Sequence, residues 1–311
     1  LSTCKQQTNP WERASEVFAR MKSDGVLPNH FTYSTIMQIC GDDEKTWKYA
    51  PDLVAEMKAA GVQLDGPAIT SATRALVHNG DVEAATSLYE EYVAGGGEPN
   101  IINLTVLMAG NHAAGHTKKA LDMFVHLQRQ PGLNPDIGVY NTILDILWEA
   151  HRFEEALTMM AAAIEKNVYK ESLNSSDLWE EGPAMKKRGA DKMRNTRTYT
   201  IDLHEMSHGA AKARMMIWLA TLDAQAIEIA EGRQDASSVP QDVNIVIGQG
   251  KHSTVAGVST MRTGVLEMIS AIKIPLAMSD SNPGMLFGDQ KLIMEWLQSA
   301  RQGVKMTNKL K

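Results

Sequence analysis

Two short polar motifs each follow an apolar, strand-like run and carry residue types that could do chemistry. Asp202 and His204 lie at the end of the run 198–203, and the sequence Gly-Gln-Gly-Lys-His-Ser at 248–253 follows the run 243–247. Runs of β-branched residues that end in a polar or glycine-rich turn predict strands. Loops at the carboxyl ends of neighbouring parallel strands converge, and ligands bind there. We therefore expect the two motifs to meet at one edge of a sheet.

The residue types in these motifs suit a substrate that carries a phosphate. Asp202 and His204 are two residues apart, so both side chains project from the same face of a strand. A carboxylate in that position fixes the tautomer of an imidazole, which makes His204 a candidate general base. The N–H groups of Gly248 and Gly250, together with the Lys251 ammonium, form a turn that could hold a phosphate.

Other interpretations of the same residues stay open. An aspartate–histidine pair can be purely structural and tie a strand end to a loop. The glycine turn lacks the frame of a Walker A loop, and Ser253 stands where a dinucleotide fingerprint has its third glycine. His204, His208 and His252 could bind a metal, but no cysteine and only one certain carboxylate lie nearby in sequence. For a divalent ion such as Mg²⁺, we expect substrate phosphates rather than a protein cage to supply most ligands.

The same motifs resemble those of the small MutS-related (Smr) domain. Ile-Asp-Leu-His at 201–204, followed by His-Gly-Ala-Ala at 208–211 and an amphipathic helix, is similar to the opening of that domain. The glycine turn at 248–253 is similar to its second signature. The resemblance covers 198–301 and departs from the family in two places. Ile247 stands where the family usually has threonine, and an insertion lengthens the connection before the second strand.

The resemblance implies a small α/β domain with nucleic-acid endonuclease activity, which some members possess and others lack. In such a reaction His204 would act as base on a ribose 2′-hydroxyl or a water, while Asp202 fixes its tautomer. Lys251 and Arg262 would hold the scissile phosphate together with the glycine N–H groups. His252 would protonate the leaving oxygen.

The pattern in this half predicts the element order β-α-β-α-β, with a closing hairpin and a last helix. The first helix is expected over 210–231 with Ser207 as its cap, and the second over 258–270. The turn signal Asp-Ser-Asn-Pro at 280–283 predicts the hairpin, and the last helix is expected over 290–300.

The first half of the chain is a repeat array with a period near 35 residues. Segments 66–100, 101–136 and 137–171 superpose, each with a short turn between two apolar-periodic helices and, in the first two, a Pro-Asx break at the end. An earlier copy at 30–65 carries one extra residue, and 11–29 is half a repeat. No single unit could bury its own apolar face, so the units must stack as an α-solenoid.

These repeats resemble the pentatricopeptide repeat (PPR). The sequences Val-Tyr-Asn-Thr-Ile-Leu at 139–144 and His-Phe-Thr-Tyr-Ser-Thr-Ile-Met at 30–37, with the terminal Pro-Asp or Pro-Asn, favour it over the tetratricopeptide repeat. A subfamily of organellar PPR proteins ends in an Smr domain, so the two resemblances agree. The predicted fold class is multidomain, with an N-terminal α-solenoid followed by a small α/β domain. The predicted organisation is a solenoid over 1–171, a basic linker over 172–197, an Smr domain over 198–301 and a tail over 302–311.

The PPR resemblance implies a groove that binds single-stranded RNA, one base per repeat, through two polar side chains in each repeat. The implied pairs are Ser34 with Asp65, Thr70 with Asn100, and Thr105 with Asp136, whereas Asn141 would pair with a residue near Glu171 that does not fit. By family analogy these pairs favour guanine, adenine and guanine, followed by a pyrimidine. The same residue types are also ordinary helix caps and turn residues, so a scaffold that docks protein stays an alternative.

Charge is unevenly distributed along the chain. Residues 1–185 hold 14 Lys and Arg against 25 Asp and Glu, a balance of −11, and residues 186–311 hold 17 against 12, a balance of +5. The sum is the overall −6. A basic strip over 186–197, which includes Lys186, Lys187 and Arg188, could lie along a phosphate backbone. A solvated linker, or a strip paired with the acidic array, is the alternative.

Composition excludes some classes of protein. The 311 residues are 43% hydrophobic and 22% charged, which is typical of a soluble globular chain, and no apolar run is long enough to span a bilayer. Cys4 and Cys40 have no metal or redox spacing, which indicates a reducing compartment. The chain starts at Leu1 without a signal peptide, so we expect a processed product whose targeting peptide is not visible.

Two functions follow as hypotheses. The first is an organellar RNA-binding protein, plastid or mitochondrial, that acts in RNA processing as a site-directed endoribonuclease. The second is a non-catalytic RNA-binding or scaffold subunit of an organellar ribonucleoprotein, such as a ribosome or a transcription complex, with protein partners and no membrane insertion. The short acidic array favours the second hypothesis, and the two intact motifs favour the first.

Overall fold

The structure is a computed structural model that describes residues 9–63, 65–169, 198–236, 242–248, 260–279 and 282–309. Contacts divide the chain into two compact units, Leu1–Ile146 and Leu147–Lys311. No helix in the described ranges is both long enough and apolar enough to cross a membrane.

The first unit is an array of paired helices, as the repeat pattern predicts. A 3₁₀ helix, Glu44–Tyr49, precedes α3. The α-helices are α1 (Pro10–Ser23), α2 (His30–Gly41), α3 (Ala50–Ala59), α4 (Gly66–His78), α5 (Val82–Ala94), α6 (Ile101–Ala113), α7 (Thr117–Arg129) and α8 (Ile137–Glu149), the last of which crosses into the second unit.

An aspartate or asparagine marks the starting point of the helices that open each repeat, after a proline at 29, 100 and 136 and after a leucine at 65. Asn29, Asp65, Asn100 and Asp136 each accept a hydrogen bond from the backbone N–H three residues later, at 2.8–3.1 Å. A side-chain oxygen at this position satisfies one of the amides that the first helical turn leaves without a partner. The repeat boundaries are therefore fixed by local chemistry that is visible in the sequence.

Stacking of the repeats places the first helices of successive repeats side by side. Helix α4 packs between α2 and α6, and glycines permit the close approach on both sides. A Cβ added at Gly41 would lie 2.9 Å from the carbonyl oxygen of Ser71, and one added at Gly110 would lie 2.6 Å from Cγ1 of Val77. The core of the array is apolar and fully buried, and its largest members include Tyr33, Ile36, Met37, Ile69, Leu76, Leu107 and Met108.

The extra residue in the first full repeat is accommodated by the 3₁₀ helix. Trp47 donates its indole N–H to the carbonyl oxygen of Gly41 at 3.1 Å, and its ring stacks on that of His78 with centroids 4.0 Å apart. Cys40 is fully buried beside this turn and donates to the carbonyl oxygen of Thr46. Burial raises the pKa of the Cys40 thiol to about 12, so the thiol stays protonated and unreactive in the folded protein.

The second unit contains a four-stranded mixed sheet. Its elements in chain order are α9 (Phe153–Glu165), β1 (Thr198–Asp202), α10 (His208–Ala230), β2 (Asp242–Val246), α11 (Thr260–Ile272), β3 (Ala277–Met278), β4 (Met285–Asp289) and α12 (Gln290–Lys309). The strand order is β1-β2-β4-β3, with β1 parallel to β2, and β4 antiparallel to both β2 and β3. The β-α-β-α-β order and the closing hairpin agree with the sequence prediction. The last helix begins at Gln290 as predicted, but it continues to Lys309 instead of ending at 300, so most of the predicted tail 302–311 is helical.

The helices that follow β1 pack on one face of this sheet. Tyr199 of β1 hydrogen-bonds Arg214 of α10, and Gly288 of β4 faces Ile293 of α12. Arg301 of α12 pairs with Asp223 of α10, so these two helices also hold each other. The arrangement has two layers, with helices on one side of the sheet.

The division between the units does not coincide with the end of the repeat pattern. Periodicity assigns α9 to the fourth repeat, over 137–171, yet contacts group α9 with the second unit, where it packs against α10. The predicted linker 172–197 lies outside the described residues.

We predict that the glycines beside α4 are needed for the stability of the array. Gly41→Ala and Gly110→Ala should each lower the free energy of unfolding by about 1–3 kcal/mol, because a methyl group overpacks a contact that has no room for it. The measurement is the urea midpoint followed by circular dichroism. Gly138→Ala in the first turn of α8 is the matched control, since its added Cβ meets only the Asp136 side chain at 3.3 Å and alanine favours the helix. Equal midpoints for all three variants would contradict the packing argument.

Candidate functional site

The parallel pairing of β1 with β2 brings the two sequence motifs together. Asp202 lies opposite Val246, and the N–H of Leu203 donates to the Val246 carbonyl oxygen at 2.9 Å. The chain then continues on both strands to His204 and Gly248. A Cβ built at Gly248 would lie 3.8 Å from Cβ of His204, and the glycine has a φ of 67°. The structure therefore brings His204 and Gly248 together at the carboxyl ends of neighbouring strands, whereas 249–253 of the second motif lie outside the described residues.

Asp202 holds His204 in one orientation through two hydrogen bonds to the same carboxylate oxygen. Oδ1 of Asp202 accepts the backbone N–H of His204 at 3.0 Å and lies 2.6 Å from the ring Nδ1. The Asp202 side chain is 20% exposed and the His204 side chain 48% exposed. A proton on Nδ1 satisfies this contact, so the neutral ring presents Nε2 as its basic nitrogen.

Sequence reasoning missed a second carboxylate at this site. Oε1 of Glu205 lies 3.7 Å from Nε2 of His204, and the Glu205 side chain is 69% exposed. This contact becomes an ion pair when the imidazole is protonated, and its exposure to solvent keeps it weak. In the sequence, the only sign of this contact is that Glu205 follows His204. Adjacency alone does not determine where the Glu205 side chain points.

The turn after β1 is anchored by buried and capping residues. Leu203 and Met206 are buried, and the N–H of Met206 donates to the Leu203 carbonyl oxygen at 3.0 Å. Ser207 then caps α10 by accepting the N–H of Ala210, as the sequence predicts. These contacts leave His204 and Glu205 as the exposed part of the turn.

His208 has a different environment from His204. Its Nδ1 lies 3.3 Å from the carbonyl oxygen of Thr260, and its ring fills the space where a Cβ at Gly264 would be. His208 thus packs the start of α10 against α11. Among the described residues no group of three or more His, Cys, Asp or Glu side chains could hold a metal ion.

Arg262 lies in the first turn of α11 and is half-buried. This agrees with its expected place at the start of the helix that follows the glycine turn. The other predicted residues of this site and of the basic strip lie outside the described residues; they are Gly250, Lys251, His252, Lys186, Lys187 and Arg188.

A buried polar pair lies behind the site, between the sheet and α10. Burial raises the pKa of the Tyr199 hydroxyl to about 12, and the contact with Arg214 partly offsets this effect. Burial also lowers the pKa of the Arg214 guanidinium, again opposed by the Tyr199 contact. Within the part of the chain that the structure describes, Nε and Nη2 of Arg214 and the indole N–H of Trp218 have no hydrogen-bond partner. Neither motif pointed to this pair, because an arginine within an amphipathic helix is usually solvated.

In the array, the predicted base-reading residues occupy two kinds of position. Asp65, Asn100 and Asp136 are helix caps, and each uses one side-chain oxygen in the cap. Thr70 and Thr105 are half-buried, and their hydroxyls donate to the carbonyl oxygens four residues earlier at 3.1 and 2.7 Å.

The first and last members of the predicted series differ from these two threonines. Asn141 in α8 is half-buried and has a polar partner. Ser34 is 3% exposed, and its hydroxyl is buried with no hydrogen-bond partner among the described residues. In this conformation the hydroxyl is not accessible to a base. Its helix, α2, is flanked by both α1 and α4.

Comparison with known proteins finds similarity to pentatricopeptide repeat proteins. Residues 2–132 match the family model described as the pentacotripeptide-repeat region of PRORP. A pentatricopeptide repeat-containing protein of Arabidopsis thaliana is 22% identical over 207 residues, which is 67% of this chain and 21% of the relative. The chloroplastic pentatricopeptide repeat-containing protein 10 of Zea mays is 34% identical over 77 residues, 25% of this chain and 10% of the relative. The chain spans about a fifth of the length of the first relatives that it matches.

Two solved structures align with part of this chain. The maize pentatricopeptide repeat protein PPR10 aligns with a TM-score of 0.40 and 29% identity, covering 51% of this chain and 23% of that one. The PPR domain of Arabidopsis thaliana protein-only RNase P 1, solved in complex with tRNA, aligns with a TM-score of 0.46 and 15% identity, covering 53% and 85%.

We predict that Asp202 determines the tautomer of His204. In the unmodified protein the neutral ring should carry its proton on Nδ1, and Asp202→Ala should shift the population toward the Nε2-protonated form, since the acceptor of the Nδ1 proton is gone. The ring ¹⁵N chemical shifts at a pH above the His204 titration measure this directly. Glu205→Gln is the control, because its side chain faces Nε2 and should leave the proton on Nδ1. A tautomer ratio that Asp202→Ala does not change would contradict the assignment.

Proposed function

Because residues 2–132 match a pentatricopeptide-repeat family, we propose that this chain binds single-stranded RNA and acts in RNA processing in a plastid or mitochondrion. We further propose that 198–301 is an Smr-type domain that cleaves the bound RNA. The observation that carries the second step is the Asp202–His204 pair, held at 2.6 Å beside Gly248 at the ends of two parallel strands.

The proposed chemistry uses the orientation that Asp202 imposes. Nε2 of His204 removes a proton from a ribose 2′-hydroxyl or from a water, and Asp202 stabilises the imidazolium that forms. The backbone N–H of Gly248 supports the phosphate, together with Lys251 and the half-buried Arg262. In this proposal His252 protonates the leaving oxygen. A divalent ion such as Mg²⁺ would be held mainly by RNA phosphates, so its requirement is a property to measure.

The proposed RNA-binding surface is the array, with its paired polar residues. Two of the predicted pairs keep polar atoms beyond those used in helix caps: Thr70 with Asn100, and Thr105 with Asp136. Each pair can still offer hydrogen bonds to a base edge. The Ser34 side chain would need to move before it could contact a base. In this conformation the first full repeat therefore does not take part in base recognition.

The organellar assignment rests on relatives. The maize relative is named chloroplastic, and two Arabidopsis thaliana relatives are named mitochondrial and chloroplastic respectively. A reducing compartment with few cysteines is consistent with either organelle.

A second candidate function is a non-catalytic RNA-binding or scaffold subunit of an organellar ribonucleoprotein. Two observations favour it. Residues 1–185 carry a net charge of −11, which works against phosphate contacts, and the Ser34 hydroxyl is buried. In this role the array would dock protein as well as RNA, and the Asp202–His204 pair would only stabilise the turn after β1.

We predict that RNA cleavage depends on Asp202 and His204. With end-labelled single-stranded organellar RNA, with and without Mg²⁺, His204→Ala and Asp202→Asn should each slow cleavage at discrete positions by at least about a hundredfold, which is the usual contribution of a general base. RNA affinity, measured by filter binding, should stay unchanged. Glu295→Gln, which removes one exposed carboxylate from α12, is the charge-matched control and should cleave normally.

The outcomes separate the two candidate functions. Binding without cleavage by the unmodified protein would leave the scaffold role. Neither binding nor cleavage would mean that the array docks protein, and it would remove both RNA proposals. Cleavage that persists in both variants would assign the activity to other residues.

We predict a change of base preference when Asn100 becomes aspartate. Asn100→Asp keeps the oxygen that caps α6, so the array should remain as stable as before, because the two residues cap helices almost equally well. The preference at the second full repeat should move from adenine to guanine, measured by competition among oligoribonucleotides that differ at one base. Asn79→Asp, at the exposed carboxyl end of α4, is the same chemical change away from the proposed pairs. An identical preference in both variants would contradict the readout.

A further inference from the structure

One face of the sheet carries no packed helix among the described residues. Thr200, Asn244, Phe287 and Ala277 are consecutive partners across the four strands, so their side chains share this face. Thr200 and Ala277 are exposed, Asn244 is half-buried, and Phe287 is 47% exposed. The residues between them along each strand, such as Ile201 and Leu286, are buried against the helices. We call this surface the open sheet face, defined by Thr200, Asn244, Ala277, Phe287, Asp242 and Asp289.

Two carboxylates lie on one side of the exposed ring, at the end of β4. Asp242 and Asp289 are direct partners and lie two residues along their strands from Asn244 and Phe287, so they point to the same side. Asp202 lies at the other end of β1 on that side. The Oδ1 atom of Asp289 caps α12 by accepting the N–H groups of Lys291 and Leu292, and no described side chain pairs with Asp242. The described strand residues of this face include no lysine and no arginine.

This charge distribution does not suit RNA. Proteins gain affinity for nucleic acid when lysine and arginine displace counterions from phosphates, and the open sheet face offers no such cation. The carboxylates beside Phe287 would instead lie near a phosphate that flanks a stacked base. The RNA contacts proposed above therefore belong to the array and to the strand ends, where Gly248 lies.

The same features suit a positively charged protein segment. The face of an aromatic ring attracts a guanidinium or an ammonium, and the attraction strengthens when the cation is partly desolvated. Asp242 and Asp289 can pair with neighbouring basic residues at the spacing of an extended chain, since successive side chains on one face repeat every second residue. Charge complementarity thus selects a basic polypeptide rather than an acidic or apolar one.

We propose that the open sheet face binds an extended lysine- and arginine-rich segment of a partner protein. A basic side chain lies over the ring of Phe287, and basic residues two positions away pair with Asp242 and Asp289. This goes beyond the proposed nuclease function, because it assigns a protein-binding surface to the second unit that is separate from the Asp202–His204 chemistry. Proteins of ribonucleoprotein complexes are rich in such segments, so the surface would tether the chain near its RNA.

The first experiment tests where a basic segment binds. The full chain carries benzoylphenylalanine in place of Phe287 and is irradiated with a fluorescent decapeptide of alternating arginine and threonine, or with a fluorescent oligouridylate of ten nucleotides. Mass spectrometry locates the cross-links. The proposal expects cross-links to the peptide that weaken as salt rises. Preferential cross-linking to the oligouridylate, or cross-links only to other residues of the same chain, would overturn it.

The second experiment tests the residues. Peptide affinity is measured by fluorescence anisotropy at low salt, because the acidic array will also bind the peptide weakly and only differences between variants count. Asp242→Asn and Phe287→Ala should each weaken binding by about two- to fivefold, and the double variant by about tenfold. Phe287→Trp, unlike Phe287→Ala, should bind the peptide as tightly as the unmodified chain, since tryptophan is the strongest cation–π partner.

Matched controls keep the result interpretable. Leu292→Ala removes a side chain of similar exposure, 52%, from α12, and Glu295→Gln removes an exposed carboxylate outside the face. Both should bind the peptide as the unmodified chain does, and thermal melting checks that every variant is folded. Equal affinity in the double variant and in the controls would overturn the proposal. RNA cleavage is scored separately, so loss of peptide binding with intact cleavage, or the reverse, assigns each failure to one proposal.

Discussion

The hydrogen-bonded register between β1 and β2 is the constraint on which the second unit depends. Ile201 lies opposite Ile245, and both are buried, so the apolar side of each strand faces the helices. A shift of one residue in either strand would turn its buried side chains toward solvent, which makes this register strongly preferred. The same register sets Asp202 on the exposed side and brings His204 to Gly248. Core packing and the geometry of the candidate site are therefore fixed by one set of contacts.

The two-layer arrangement then determines which surfaces remain for binding. Helices α10 and α12 contact the sheet and each other through the Tyr199–Arg214 and Arg301–Asp223 pairs. Because they lie on one side, the polar groups at the strand ends and the side chains of the open sheet face remain accessible in the described structure. These two surfaces differ in chemistry. The strand ends offer the N–H group of Gly248 and the imidazole of His204, whereas the open sheet face offers two carboxylates beside Phe287.

Local patterns in the sequence predicted the features that local contacts determine. The side chains of Asp202 and His204 meet, as their spacing predicts, although His204 lies in the turn after β1. The Pro-Asx breaks correctly marked where α2, α6 and α8 begin. Features that depend on neighbours were not accessible in this way. Ser34 is buried because two helices flank α2, and the exposure of Phe287 depends on strand order and on which face the helices choose. Neither property has a signature within a few residues of the side chain concerned.

The array shows why its proposed readout residues are so restricted in type. A residue at the position of Asn100 must first cap a helix, because losing a cap costs about 1 kcal/mol, and the cap sets where the next repeat begins. Asparagine and aspartate satisfy that requirement and still keep one polar atom for a ligand, whereas an apolar residue does neither. Stability therefore admits few alternatives at Asp65, Asn100 and Asp136. Replacing asparagine by aspartate, or the reverse, preserves the cap but alters the hydrogen bonds that a ligand would meet. A repeat can therefore change its partner without losing its fold.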